Sequence, residues 1–206
     1  MKTNLLKILV LFVSLSAFAQ IREQEDYPNR FSVGINIIDD TYTKTRKVSD
    51  YTKQWNSAVY PSRFGYERWI NESFGMEASL SLNKFKKGKL IDGYINPQDL
   101  SHLAIDLNGK YYLNNAISAV FNYDLEYEPF IVAGLGHTSI ETFDSYQNIN
   151  YGLGVIFWFG PKQKSFVRGN FLNSLGFYAQ TLGKSSFDQE KFGNEIQYSA
   201  GLMYKF

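Results

Sequence analysis

"EIQYSAGLMYKF" runs from Glu195 to Phe206, and Ile196, Tyr198, Ala200, Leu202, Tyr204 and Phe206 are apolar at every second position up to the last residue. A period of two puts those side chains on one face of a β-strand. Soluble domains usually finish in polar, loosely held residues. This sequence finishes on a phenylalanine that strand geometry assigns to a buried face.

The same alternation recurs upstream in segments of about ten residues separated by turn formers, and we count eight with the last. "RFSVGINII" sets Phe31, Val33, Ile35 and Ile37 against Ser32, Gly34 and Asn36. "AVYPSRFGYERWI" sets Tyr60, Phe64, Tyr66 and Ile70 against Arg63, Gly65 and Glu67. After "NES", "FGMEASLSLN" opposes Phe74, Met76, Ala78, Leu80 and Leu82 to Gly75, Glu77, Ser79, Ser81 and Asn83, the clearest strand of all. "HLAIDLNGKYYL" opposes Leu103, Ile105, Leu107, Tyr111 and Leu113 to Asp106, Asn108 and Lys110. "YEPFIVAGLGH" has an ambiguous phase. "NYGLGVIFWF" sets Tyr151, Leu153, Val155, Phe157 and Phe159 against Gly152 and Gly154, and a seventh strand lies within "SFVRGNFLNSLGFYAQTL".

A soluble lipocalin-like barrel and a membrane barrel share this period with inside and outside exchanged. The polar faces hold Arg63, Glu67, Glu77, Asp106, Lys110 and Arg168 among glycines and serines, which suits an ion-paired lumen, whereas the opposite faces are aliphatic and aromatic. Connections after the first, third, fifth and seventh strands read as long, and "NES" and "GPKQK" as short, the pattern of outer membrane barrels. Asn114 to Glu126 is a long exception. Phe31, Trp69, Phe74, Tyr111, Tyr127, Phe157, Phe166 and Phe206 fall at strand ends on the short-turn side and read as an aromatic girdle. The expected fold is all-β: an eight-stranded antiparallel up-and-down transmembrane β-barrel, narrow enough for side chains to fill it. Lys110 and Arg168 should be held by Glu67, Glu77 and Asp106, with Glu77 to Lys110 the favoured direct pair. A soluble exported barrel carrying an apolar ligand is the alternative if the polar faces point outward.

The composition narrows the class further. "MKTNLLKILVLFVSLSAFAQ" has a basic start, an apolar stretch and Ala17-Phe18-Ala19, the features of a secretory signal peptide cut after Ala19. We therefore expect residues 1–19 as signal peptide, 20–30 as a periplasmic lead-in and 31–206 as the barrel. The chain has no cysteine, which removes disulfides, thiolate metal sites and a lipidated N-terminal cysteine. A net charge of +1 gives no reason to expect nucleic acid, and two histidines are too few for an ordinary histidine metal cage. Aromatics make up 17% of the chain, yet after the leader no apolar run approaches the roughly 18 residues of a membrane helix.

"SAGLMYKF" resembles the terminal signal of bacterial outer membrane barrels that the barrel assembly machinery reads: Ser199, Gly201, Tyr204 and the terminal aromatic Phe206. "FSVGINIIDD", "IDLNGKYYLNN", "EPFIVAGLGH" and "INYGLGVIFWF" are similar to the membrane domain of OmpA-type proteins as found in Bacteroidota, over about Phe31 to Phe206. The resemblance implies residence in the outer membrane, contact with its lipid and lipopolysaccharide, the assembly machinery as a partner in biogenesis, envelope proteins as possible further partners, and no cofactor. Many such proteins continue into a peptidoglycan-binding domain that this sequence lacks.

Catalytic signals are sparse. "HTS" places His137 and Ser139 on one face of a strand end, similar to the His-x-Ser arrangement of outer membrane lipid A deacylases, with Glu141 and Asp144 as the acidic residues nearby. This esterase is the first functional alternative, ahead of the soluble barrel. "KFKKGK", Lys84 to Lys89, is a basic run suited to a solvated loop tip or to phosphate groups of lipopolysaccharide. Asp39 and Asp40 lack the remaining ligands of a calcium site, and no metal is assigned.

Overall fold

The structure, a computed structural model, describes residues 29–39, 55–91, 94–123, 125–142, 145–160, 171–187 and 194–206. Its strands are β1 (Asn29–Asp39), β2 (Trp55–Ser57), β3 (Arg63–Asn71), β4 (Phe74–Phe85), β5 (Leu90–Ile91), β6 (Tyr94–Ile95), β7 (Leu100–Tyr112), β8 (Tyr127–Ile140), β9 (Tyr146–Trp158), β10 (Leu175–Ser186) and β11 (Glu195–Lys205). Helix α1 (Asn114–Phe121) joins β7 to β8, and a short 3-10 helix (Phe171–Ser174) leads into β10.

Eight of these strands close a barrel. β1, β3, β4, β7, β8, β9, β10 and β11 pair in that order, and β11 returns to β1 in antiparallel register from Arg30 opposite Lys205 to Asp39 opposite Ile196. Closure leaves the wall without a free edge. Phe206 completes it: the Asn29 N–H donates to its carbonyl at 3.0 Å and its own N–H donates to the Asn29 carbonyl at 2.9 Å. β2 adds to β1 only at Ile37 to Asp39.

Period-two geometry sorts the side chains as the sequence implies. Leu153 is 64% exposed and Leu135 60%, and Ile35, Ile105, Ile131 and Leu202 stand with them on the outer surface. Arg63, Glu67, Glu77, Asp106 and Lys110 are buried inside. A soluble ligand-carrying barrel needs the reverse, a polar exterior around an apolar cavity, so the faces contradict that alternative. At the end carrying Asp39, Phe85, Ile140 and Ser186, called here the loop end, inward alternation turns apolar. Ile38, Phe85, Leu100, Ile140 and Tyr146 form a buried cluster there.

Several boundaries differ from the sequence reading. β1 begins at Asn29, so Arg30 is a wall residue and not part of a lead-in. The seventh barrel strand begins at Leu175, where regular alternation starts; Arg168 therefore precedes it, and both Arg168 and Phe166 lie outside the described residues. The connection from Phe159 to Ser174 is consequently long, while that from Glu141 to Ser145 is short. Thr142, at φ 70°, helps the chain reverse tightly there. Loop length thus does not distinguish the two ends as the sequence suggested.

Candidate functional site

The chemistry of the described residues is concentrated in the lumen. Strand pairing brings together inward residues that are far apart in sequence and lie on different wall strands. The first network is built on Lys110 of β7. Its ammonium lies 3.0 Å from Glu67 Oε2 on β3 and 2.5 Å from Glu77 Oε2 on β4, and 4.8 Å from the centre of the Phe130 ring. Glu77 also accepts from Arg63 Nη2 at 2.5 Å. Glu67 Oε1 accepts from the Tyr112 hydroxyl at 2.5 Å and from Trp69 Nε1 at 2.8 Å. Each carboxylate oxygen of Glu67 and Glu77 thus has at least one donor, the condition under which buried charge is tolerated.

Arg30 closes this network at the opposite end of the barrel, where the Glu72–Ser73 turn lies. Its guanidinium stands 4.1 Å over Trp69, 4.9 Å over Trp158 and 5.0 Å over Tyr112, and pairs with Glu128 at 3.0 Å. Trp69 is therefore not a girdle residue. It shares the phase of Arg63 and Glu67 and pairs with Gly75, which directs it inward as a lid on the lumen. Phe31, Tyr111, Tyr127, Phe157 and Phe206 are exposed on the outer surface, and Phe74 is partly exposed.

A second network occupies the other side. Lys184 of β10 donates to both oxygens of Asp106 at 2.8 and 3.0 Å, and Asn150 donates to Asp106 at 3.0 Å and to Asn108 at 2.9 Å. The sequence reading assigned the strand-seven cation to Arg168; the structure gives that position to Lys184. Lys184 also lies 3.8 Å from Glu195, whose other oxygen is 3.3 Å from His102 Nε2. Gln197 donates to Glu195 at 2.7 Å and Asn36 to Gln197 at 3.1 Å, which carries the network to the closing strand pair. Lys184 lies two residues beyond the segment that the sequence pattern marks, and His102 is the first residue of its segment, where the alternation has no preceding residue to fix its face; both sit near the loop ends of their strands, on the inward phase. Small residues make room for these groups. A Cβ on Gly136 would stand 2.2 Å from Asp106 Oδ1, and one on Gly154 would stand 2.4 Å from the Phe130 ring.

The residues of the terminal pattern divide between the two faces. The Ser199 hydroxyl donates inward to Asn36 Oδ1 at 2.9 Å. Gly201 stands opposite Gly34, where a Cβ would come 2.4 Å from the Gly34 Cα, so the seam between first and last strands requires glycine there. Tyr204 and Phe206 lie outside, with ring centres 6.1 Å apart and nearly parallel, and Phe171 stacks on Tyr204 at 5.5 Å.

His137 is exposed on the outer face of β8, and Ser139 shares that face, while Thr138 between them points inward and donates to Asn148 at 3.1 Å. The Glu141 carboxylate accepts from the Ser101 N–H at 3.0 Å, an interaction that holds it below the ordinary carboxylate range. It is thereby engaged across the turn, and Asp144 lies outside the described residues. Among the described residues no carboxylate pairs with His137, and no group of histidine and acidic side chains could hold a metal ion. Asp39 is buried at the end of β1, and Asp40 lies outside the described residues. In the basic run, Lys84 sits 3.8 Å from Asp99, the Lys87 N–H donates to Asp99 at 2.8 Å, and the Lys89 ammonium donates to the Trp55 carbonyl.

No protein-family model and no curated protein sequence matches the chain. Among solved structures, it is similar to neisserial surface protein A, with 12% identity and a TM-score of 0.50 over 87% of this chain and 97% of that one. Ail, the attachment invasion locus protein of Yersinia pestis, aligns at 14% identity and a TM-score of 0.47 over 87% and 97% of the two chains. The outer membrane protein AlkL, solved in lipid bilayers, aligns at 10% identity and a TM-score of 0.49 over 91% and 93%. The likeness to neisserial surface protein A is one of fold: a closed eight-stranded antiparallel barrel.

Proposed function

We propose that this chain is an integral β-barrel of a bacterial outer membrane, exported through a cleaved leader, with a structural or interaction role and no open pore. The observation that carries the reading is the inverted partition of the wall, with Leu135, Leu153 and Ile105 presented outward and Arg63, Lys110, Lys184, Glu67, Glu77 and Asp106 buried inside. In water that exterior would be an aggregation surface. In a bilayer the closed wall satisfies every strand hydrogen bond and the apolar band meets acyl chains.

The lumenal networks, covered by the Ile38 cluster at one end and by the Arg30 and tryptophan group at the other, leave a plugged interior. Function then belongs to the surfaces: lipid and lipopolysaccharide around the wall, the assembly machinery reading Tyr204 and Phe206 during insertion, and envelope proteins at the connections. The test is fractionation followed by electrophoresis with and without boiling. Recovery in the outer membrane with a heat-shifted band, and negligible steady conductance in planar bilayers, is the expected result. Recovery as soluble periplasmic protein, or large stable channels, would refute it.

A further inference from the structure

A two-residue turn is enough to join antiparallel strands, as Glu72 and Ser73 do between β3 and β4. Between β7 and β8 the chain instead builds α1, ended by Asn122 in the left-handed conformation with its N–H on the Ser118 carbonyl. The side chains that tie α1 to the barrel are polar. Asn115 donates to Ser73 Oγ at 3.1 Å and to Glu72 Oε2 at 3.3 Å, and Asn114 donates to the Tyr127 carbonyl at 2.8 Å. The exposed side is apolar. Ala116, Ala119 and Val120 share one face at helical spacing, with Phe121 beside them. Val120 is 73% exposed, Phe121 72% and Tyr123, just beyond, 61%. A helix on a wetted surface is arranged the other way round, with its apolar stripe toward the protein.

Two further observations indicate what meets that face. From Leu113 to Tyr123 there is no charged residue, whereas a connection bathed in water needs none of this apolar surface and ordinarily carries charge. The helix also lies next to the outer wall: it follows the outward-facing Tyr111 by three residues, and β8 begins with Tyr127, whose ring packs on Phe157 at 5.7 Å. Phe159 and Phe171, on the neighbouring long connection at the same end, are exposed as well.

We propose that α1 is an interfacial helix that lays Val120, Phe121 and Tyr123 into the headgroup and acyl-chain boundary of the leaflet at this end of the barrel, so that its occupant is a lipid surface. The inference rests on the membrane-barrel reading above. Helices that lie in the interface bury one apolar face just below the headgroups. α1 needs no basic face of its own to stay there, because Asn114 and Asn115 tether it to the wall. α1 thus widens the lipid contact at this end.

Since the chain has no cysteine, a single nitroxide can be placed at will. The full chain, reconstituted in phosphatidylcholine vesicles, is labelled in turn at Val120→Cys, Phe121→Cys, Ile131→Cys on the wall and Lys87→Cys in the loop, and collisions with oxygen and with a water-soluble nickel chelate are measured. The expected result is that Val120→Cys and Phe121→Cys favour oxygen as Ile131→Cys does, while Lys87→Cys favours nickel. If the helix labels follow Lys87→Cys while Ile131→Cys still favours oxygen, the inference fails and the barrel reading stands. If Ile131→Cys also favours nickel, the barrel reading itself fails. Helix labels shielded from both reagents would signify a protein occupant and overturn the lipid assignment.

Discussion

Among the described residues, Lys110 is the only cation paired with Glu67 and one of two paired with Glu77, and alanine removes it. All three side chains are at most 1% exposed, so neither water nor a rotated neighbour can take over the charge cheaply. Breaking a buried pair by removing one member typically costs about 3–5 kcal/mol, because a charge is left uncompensated in a poorly polarisable interior. Here the lower end applies. Glu77 keeps Arg63 at 2.5 Å, and Glu67 keeps the Tyr112 hydroxyl and the Trp69 indole as donors. We therefore expect Lys110→Ala to lose about 3 kcal/mol, roughly a hundredfold in the folding equilibrium. Lys87→Ala in the exposed loop should stay within about 0.5 kcal/mol of the parent. The assay is urea unfolding of protein refolded in detergent, followed by tryptophan fluorescence, since Trp69 and Trp158 line the same network. The double variant Lys110→Met with Glu67→Gln should recover part of the loss, because it neutralises the stranded carboxylate. A Lys110→Ala stability indistinguishable from that of Lys87→Ala would refute the premise that the lumen is a dry ion-paired core.

The other predictions concern the wall, the seam and the outer rim. Phe206→Ser should lower the yield of folded, heat-shifted protein in cells well below that of Phe187→Ser at the loop end. Its stacking on Tyr204 is worth only about 0.5–1.5 kcal/mol, so the purified variant should unfold almost normally, and equal cellular yields would show the terminal ring to be incidental. Leu153→Arg places a cation on the outer surface between Ile131 and Thr181 and should cost about 2–4 kcal/mol in lipid vesicles; no cost would mean that this face is wet. Lipid A from cells overproducing the chain should keep its acylation pattern by mass spectrometry, and loss of an acyl chain that Ser139→Ala abolishes would establish the esterase.

Much of the architecture was legible because a strand repeats every two residues. Once "FGMEASLSLN" assigns Glu77 to one face, pleating alone carries Ser79, Ser81 and Asn83 with it, and the same argument puts Arg63 with Glu67 and Asp106 with Lys110 on the polar faces of their strands without knowledge of any partner. What the period does not contain is phase across a break, or which strands meet across the lumen. "SFVRGNFLNSLGFYAQTL" admits more than one phase, so the cation of that strand was assigned to Arg168, whereas the alternation that pairs with β9 and β11 starts at Leu175 and delivers Lys184 to Asp106. Trp69 was assigned to the girdle because bulk and position at a strand end suggested it; its phase, fixed by pairing with Gly75, turns it over Arg30. The polar docking of α1 depends on Asn115 reaching a turn some forty residues earlier in the chain, at Glu72 and Ser73. Alternation is a local property of the backbone and survives in the sequence, but register, closure and the contacts made across the barrel join residues whose separation along the chain bears no relation to their distance in space, and only the folded wall decides them.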